Sequence, residues 1–469
     1  MNYIIVICKE RLRISQCLKM IISFIFWFFF ALQKLVAQND LRSNILLFGA
    51  NGGDDKDDTK AIQNCIDAVA GKGGGIVYIP NGTYLVSRPL SAKAIVLQAR
   101  SNVSLMGESR EGTIIKLASH QRAFSWMVLL TEVNSINIQN LTFDGNVNNQ
   151  IDSTKPISYN NPDEHLAGLF LDNASQVRII NCKIINTGGD GIGIRGVLIP
   201  STSVTIDSCY FDNNYREGIA LGSGFKNITI HNCYFGESIK HDPIHTEPEE
   251  GLFVGNCIIE NNEINNQHRL TVSGSRAGLQ ATGFIIKHNS FQGTSMYLTN
   301  TSNVEISGND FNQPVGYPAI TIFKKNNGVM VENNVISVIN DAAITMAYSA
   351  NEYPKNVTII DNKINCGSLN TACINIRGGD NIKIINNFIS NHNAKTLLEV
   401  TATRQMDSLE FSNNVAGYFQ TNFSFRLINN FFLSNFKAEN NSLENKSFAP
   451  QFNVKANVIK GKMIIQNNH

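Results

Sequence analysis

Charge is what this sequence has least of. Asp, Glu, Lys and Arg make up 16% of its 469 residues, against roughly 25% in an ordinary soluble domain. Neither sign is in excess, since 39 Lys and Arg face 38 Asp and Glu for a formal charge of +1. Nucleic-acid binding calls for a basic excess or a basic tract, so it finds no support. No apolar run approaches the about 20 residues that a membrane-spanning helix needs, and stable membrane insertion is not expected. The cysteines show no strong metal-binding spacing. Disorder is excluded as well, because 43% of the chain is hydrophobic. The surface must therefore be covered by Asn, Ser, Thr and Gly, which recur throughout.

The first residues read as an export signal. Lys9, Arg11, Arg13 and Lys19 precede an apolar run from Met20 to Leu32, and Leu35-Val36-Ala37-Gln38 offers small residues for cleavage. An uncleaved anchor is the alternative, but Gln33 and Lys34 interrupt the run. Residues 1–37 are thus assigned to a signal peptide, and the mature protein to the periplasm or the exterior. An oxidising compartment permits disulfides. Cys8 and Cys17 leave with the signal. Seven cysteines remain, an odd number, so at least one is unpaired; Cys366 and Cys373 are close enough in sequence to bridge a local loop, and whether they do is left open.

A repeat decides the fold. The segments VRIINCKI, VTIDSCYF, ITIHNCYF, CIIENNEI, FIIKHNSF, VEISGNDF, VMVENNVI, VTIIDNKI, IKIINNFI, LEFSNNVA and FKAENNSL all read alike. Each is a short alternating strand, then a Cys or Asn, then another apolar residue two positions on. The anchors are Cys182, Cys209, Cys233, Asn262, Asn289, Asn309, Asn334, Asn362, Asn387, Asn414 and Asn441, spaced about 26 residues apart. Alternation means one buried and one exposed face. With no helical pattern between them, such strands cannot form βαβ units. They fit an all-β solenoid, a right-handed parallel β-helix of about twelve coils, in which like residues stack roughly 4.8 Å apart. Stacked Asn side chains form hydrogen-bonded ladders, and the Cys continue the row as small buried residues. Both rows are architecture and not a metal or redox site.

Residues 38–90 form a cap and first coil, and 91–469 the β-helix. Asp58 or Thr59 starts a helix to about Ala70 with Ala61, Ile62, Cys65, Ile66 and Val69 on one face. This helix covers the open end of the solenoid. The Asp54–Asp58 cluster is read as capping and solvated loop, with a calcium site as the alternative. No other cofactor is indicated.

The segment FGANGGDDKDDTKAIQNCIDAVAGKGGGIVYIPNGTYLVS resembles the N-terminal region of the pectate lyase superfamily, in its polygalacturonase-related branch. That resemblance implies the same β-helix over nearly the whole mature chain. It says less of the reaction, because the fold carries lyases, hydrolases, epimerases and phage tailspikes.

Three coils align after their anchors: Asp190-Gly191-Ile192-Gly193-Ile194-Arg195, Glu217-Gly218-Ile219-Ala220-Leu221-Gly222 and Asp242-Pro243-Ile244-His245-Thr246-Glu247. His268-Arg269-Leu270-Thr271-Val272-Ser273 follows. Strand entrances carry Asp190, Glu217, Asp242 and His268. Outward Gly191, Gly193, Gly218, Ala220 and Gly222 predict a bare groove floor. Around it stand Arg195, Tyr215, Arg216, Glu247, Arg269 and Arg276, with Tyr297 and Phe323 farther on as sugar-stacking platforms. In so uncharged a chain this clustering marks a site. Stacking places Asp190 and Glu217 roughly 5 Å apart and Asp190 and Asp242 roughly 10 Å. Neighbouring carboxylates raise one pKa and so create a proton donor. Asp190, Glu217 and Asp242 are the expected acid/base groups, with His245 assisting. Arg195 and Arg216 are expected to clamp a sugar carboxylate or sulfate, with Tyr215, Glu247, His268, Arg269, Arg276 and Tyr297 contacting substrate. An insertion of about eighteen residues between Asn146 and Glu164, with Tyr159, is expected to wall the groove.

Polygalacturonases place acidic residues at similar strand entrances. Asp190 in GGDGIGI and Glu217 in YREGIALGSG resemble those positions, but the Gly-His-Gly and paired-Asp motifs are absent as such. Asp242-Pro243-Ile244-His245 loosely resembles the Asp-Pro-His motif of alginate epimerases. The leading expectation is a secreted enzyme that hydrolyses an acidic polysaccharide. A lyase or uronate C5-epimerase is the alternative, and a non-catalytic glycan-binding solenoid the third. Oligomeric state is left open.

Overall fold

The computed structural model describes residues 42–88, 95–121, 126–150, 166–248, 252–275, 278–314, 316–349, 352–367, 371–391, 396–401, 406–417, 425–427, 433–443, 452–454, 463–466 and 468. The expected signal peptide, Arg276, Tyr159 and most of the insertion lie outside the described residues.

Strands short enough to turn every few residues, each with one apolar face, wind into three parallel sheets of sixteen, fourteen and fourteen strands. Sheet A holds the repeat strands, for example Ser201–Asp207 and Phe225–His231. Sheet B holds the short strands after the anchors, such as Lys183–Ile185 and Tyr210–Asp212. Sheet C holds the strands that follow the acidic entrances. Each strand pairs with its counterpart one coil on, in register, so each side chain stacks on its equivalent. Phe211 lies 4.9 Å from Phe235 and Phe291 lies 4.5 Å from Phe311, ring on ring in the core.

The corner between sheets A and B is built by two neighbouring residues. The first has a left-handed backbone: Asn181, Ser208, Asn232, Asn261, His288, Asn333, Asp361, Asn386, Asn413 and Asn440 all show φ between 49° and 57°. Asn and Asp are among the residues that tolerate this region best. The second is the anchor. Its Asn Nδ2 donates to the Oδ1 of the next anchor along the row Asn262, Asn289, Asn309, Asn334, Asn362, Asn387, Asn414 and Asn441, at 2.9–3.2 Å. Asn468 extends the row by one more coil. Nδ2 also reaches a carbonyl of the preceding coil, as from Asn262 to Ile230. Cys209 Sγ makes the equivalent contact to Ile179 and Cys233 Sγ to Ile206, so the thiols occupy the ladder as weaker donors.

Asn334→Ala tests the ladder. It strands the Asn309 backbone N–H and one of the two side-chain amide protons, the other staying on the Ile286 carbonyl, all buried. An unfolding free energy lower by about 2–3 kcal/mol is expected in urea titration.

Helix α1, Thr59–Gly71, buries Ile62, Cys65, Ile66 and Val69 against the first coil. Its side-chain cap differs from expectation. Asp58 makes no capping bond, because its Oδ1 accepts from the Asn51 backbone. Asp57 Oδ1 accepts from the Thr59 N–H at 2.9 Å instead. No group of three or more metal-ligating side chains is present among the described residues. Cys366 and Cys373 form a disulfide, while Cys65, Cys182, Cys209, Cys233 and Cys257 are free and buried.

Candidate active site

Register carries the expected residues to one side of the rod. Ile192 pairs with Ile219 and Ile219 with Ile244, while His245 pairs with Thr271 and Thr271 with Tyr297. Asp190, Glu217, Asp242 and His268 therefore stack at successive entrances to sheet C. Ile192, Ile194, Ile219, Leu221, Ile244, Thr246, Leu270 and Val272 all point into the core.

The entrance carboxylates are not open to solvent. Asp190 is 4% exposed, Glu217 3% and Asp242 8%. Arg216, itself largely buried, holds the first two. Its Nη1 lies 3.0 Å from Asp190 Oδ2, its Nε 3.1 Å from Glu217 Oε2, and its Nη2 pairs with Glu247 Oε1. Burial disfavours the guanidinium charge, but Asp190, Glu217 and Glu247 outweigh it and raise its pKa. Glu217 is driven well above the ordinary carboxyl range. Burial contributes most, then the negative charge of Asp190 and the hydrogen bond between the two carboxyls, with Arg216 opposing. The expected proton-rich carboxyl is thus Glu217. The Glu217 backbone N–H also donates to Asp190 Oδ1 at 3.3 Å.

His245 is the member that faces outward. Its Nδ1 sits 3.5 Å from Glu217 Oε1 and 3.4 Å from Asp242 Oδ2, and its side chain is 29% exposed. Asp242 is fixed behind it. Its Oδ1 accepts from the Arg269 backbone N–H at 3.2 Å, and its Oδ2 accepts from the Thr271 hydroxyl. The arrangement orients an imidazole through Nδ1 and leaves Nε2 toward the groove. Thr271 was not among the expected site residues, although its outward slot follows from the same alignment.

The cations divide by environment. Arg195 pairs with Asp172 Oδ2 at 3.0 Å, so it is already engaged across one coil step. Arg269 lies 5.0 Å from the Tyr297 ring and 4.9 Å from the Tyr317 ring. No carboxylate among the described residues pairs with it, which leaves it as a cation beside the site. Tyr297 stands next to Phe323 at 6.0 Å, and burial raises its phenol pKa while Arg269 opposes. His268 stacks near His241 at 6.4 Å, and burial lowers its pKa. Tyr215 is half-buried, and its backbone N–H donates to Thr187 at 2.9 Å.

The bare glycine floor is corrected. A Cβ on Gly191 would lie 2.6 Å from the Gly218 carbonyl, and one on Gly218 2.6 Å from the Pro243 carbonyl. These two glycines permit close packing of successive coils. Gly193 lies under the ring of Phe170, 2.7 Å from where its Cβ would be. Only Ala220 and Gly222 leave the floor low.

Comparison with known proteins fits this architecture. A family model described as rhamnogalacturonase A/epimerase, pectate lyase-like, matches residues 43–266, and one for the right-handed β-helix region matches residues 251–389. The chain resembles pectate lyase-like proteins, and its fold is the right-handed β-helix of the second model. Alginate lyase 7 of Azotobacter vinelandii is 38% identical over 115 residues, 23% of this β-helix chain and 13% of that protein. Plasmin and fibronectin-binding protein A of Streptococcus pneumoniae is 25% identical over 396 residues, 73% of this chain and 53% of that protein. The chain therefore spans about half or less of these relatives. Among solved structures, the Agl-KA catalytic domain superposes with a TM-score of 0.57 at 16% identity, over 85% of this chain and 68% of that one. The N-terminal fragment of bacteriophage Phi29 gene product 12 gives 0.56 at 15% identity, over 89% and 83%. These two likenesses show the β-helix fold alone.

Proposed function

We propose that this protein is an exported enzyme that abstracts the C5 proton of a uronate within an acidic polysaccharide, leading to β-elimination or C5-epimerisation. The observation that carries the reading is His245, whose Nδ1 is held between two buried carboxylates while its ring faces the groove. Nε2 takes the C5 proton, and the electron pair passes into the sugar carboxylate. Arg269, paired with no carboxylate among the described residues and one coil on, neutralises that carboxylate. In elimination the C4–O bond then breaks as the C4–C5 double bond forms, and the leaving oxygen gains a proton. In epimerisation a proton returns to C5 from the opposite face. Tyr215, Glu247 and His268, on the coil of His245 and its two neighbours, are assigned as the second proton carriers. Burial lowers the His268 pKa and so favours the neutral ring, which suits a proton acceptor. A relative named alginate lyase, and another named mannuronan C5-epimerase AlgE3 at 36% identity over 115 residues, support the acidic-polymer reading. The disulfide supports an oxidising compartment, and no helix among the described residues is long and apolar enough to cross a membrane.

Hydrolysis is the second reading, favoured by the raised pKa of Glu217 beside Asp190. It requires a carboxyl group at the glycosidic oxygen, and burial keeps Asp190, Glu217 and Asp242 from reaching it. A panel of uronate polymers separates the readings. Elimination produces unsaturated ends that absorb in the ultraviolet, and hydrolysis produces reducing ends without that absorbance. Binding without turnover on any polymer supports a non-catalytic solenoid.

A further inference from the structure

Two half-buried aromatic residues of sheet C, Phe170 and Trp126, lie on the N-terminal side of the site. Phe170 occupies the outward slot of strand Leu169–Asp172 in sheet C. Its register partners run Gly193, Ala220 and His245, so it stands three coils before the imidazole, roughly 14 Å along the rod. Trp126, one coil earlier, stacks on it at 4.6 Å with the two ring planes 9° apart. The glycine at 193 is what lets the Phe170 ring lie flat toward His245, since any Cβ there would strike it. On the same ring rests the Arg195 guanidinium, 5.0 Å from the centroid. Asp172 holds that guanidinium through Nε at 3.1 Å and Nη2 at 3.0 Å, both to one oxygen, and the Arg195 side chain remains 44% exposed.

A flat pair of half-buried rings beside an anchored, exposed cation suits the apolar C–H face of a pyranose that also bears a carboxylate. We infer that Trp126, Phe170 and Arg195 form a distal subsite that binds a uronate unit of the polymer a few sugars away from the one at His245. It rests on the reading of this face as the substrate groove. With Arg269 one coil and Tyr297 two coils beyond His245, the polymer runs parallel to the rod axis across sheet C. Low Ala220 and Gly222 let it pass between the two ends. The enzyme consequently engages the interior of long chains in preference to short fragments.

The test is polymer binding and turnover by Phe170→Ala, Phe170→Leu and Phe170→Tyr. Leu fills the space over Gly193 without a flat ring, and Tyr restores the ring, so thermal melting of all three separates folding from recognition. Expected is a kcat/KM for a long polyuronate about tenfold lower in the Ala and Leu variants, relative to that for an oligomer too short to reach the platform, with recovery in Tyr. The same variants placed in a His245→Ala background should lose polymer affinity by a similar factor. Equal loss on short and long substrates, or unchanged polymer affinity in the Ala and Leu variants, overturns the subsite. Turnover surviving His245→Ala overturns the proposed chemistry instead, and the binding arm still reports on the subsite.

Discussion

His245→Ala is expected to lower turnover of a uronate polymer by about a hundred- to ten-thousand-fold, the range for loss of a positioned acid–base group. The imidazole is partly exposed and lies outside the apolar core, so the far-UV spectrum and melting curve should match wild type. KM should change far less than kcat, because the ring is assigned to proton transfer and Arg269 to charge recognition. His245→Gln should not rescue, since an amide retains polarity without basicity. Loss of folding in step with loss of activity would assign His245 a structural role.

The second large effect concerns stability. Arg216→Met removes the cation shared by Asp190, Glu217 and Glu247 and leaves at least two buried carboxyls without it. Removing one partner of a buried ion pair costs about 3–5 kcal/mol. The cost has a defined pH dependence. Glu217 already sits above the ordinary carboxyl range through burial and the charge of Asp190, and without Arg216, the charge that opposes this, its folded-state pKa rises further. Groups raised in this way stabilise the fold below the unfolded value and lose that contribution as pH rises through the folded one. The deficit relative to wild type should therefore grow as pH rises above the raised Glu217 pKa of the wild type and shrink as pH falls below it. Urea titrations of both proteins at several pH values measure it. A deficit independent of pH would mean that lost packing of the arginine stem, and not lost charge, dominates.

Much of this was legible in the sequence for physical reasons. A period-two strand and one fixed corner residue per repeat set the register, and register alone brings Asp190, Glu217, Asp242 and His245 to one side. The residue before each anchor was a further signal, since Asn, Ser, Asp or Gly at that position marks the left-handed corner. What was not legible lies off the period. The entrances sit in turns, where alternation does not set side-chain direction, so burial of the carboxylates around Arg216 could not be read from spacing. Three of the expected floor glycines serve packing, because contact between coils depends on backbone proximity that sequence does not show. Phe170 was hidden by the insertion before it, which breaks the repeat alignment. Trp126 bends onto it from the start of the preceding coil's strand. Thr271 lay in a slot already aligned, but only contact with Asp242 marks it.

The most direct test of the account follows H5 of a polyuronate by NMR in deuterated water. The wild-type protein should remove the H5 signal of the residues it transforms, through a new double bond or deuterium at C5, and His245→Ala should leave it intact. New chain ends that form with every H5 retained, or H5 loss undiminished in His245→Ala, would contradict proton abstraction at this site.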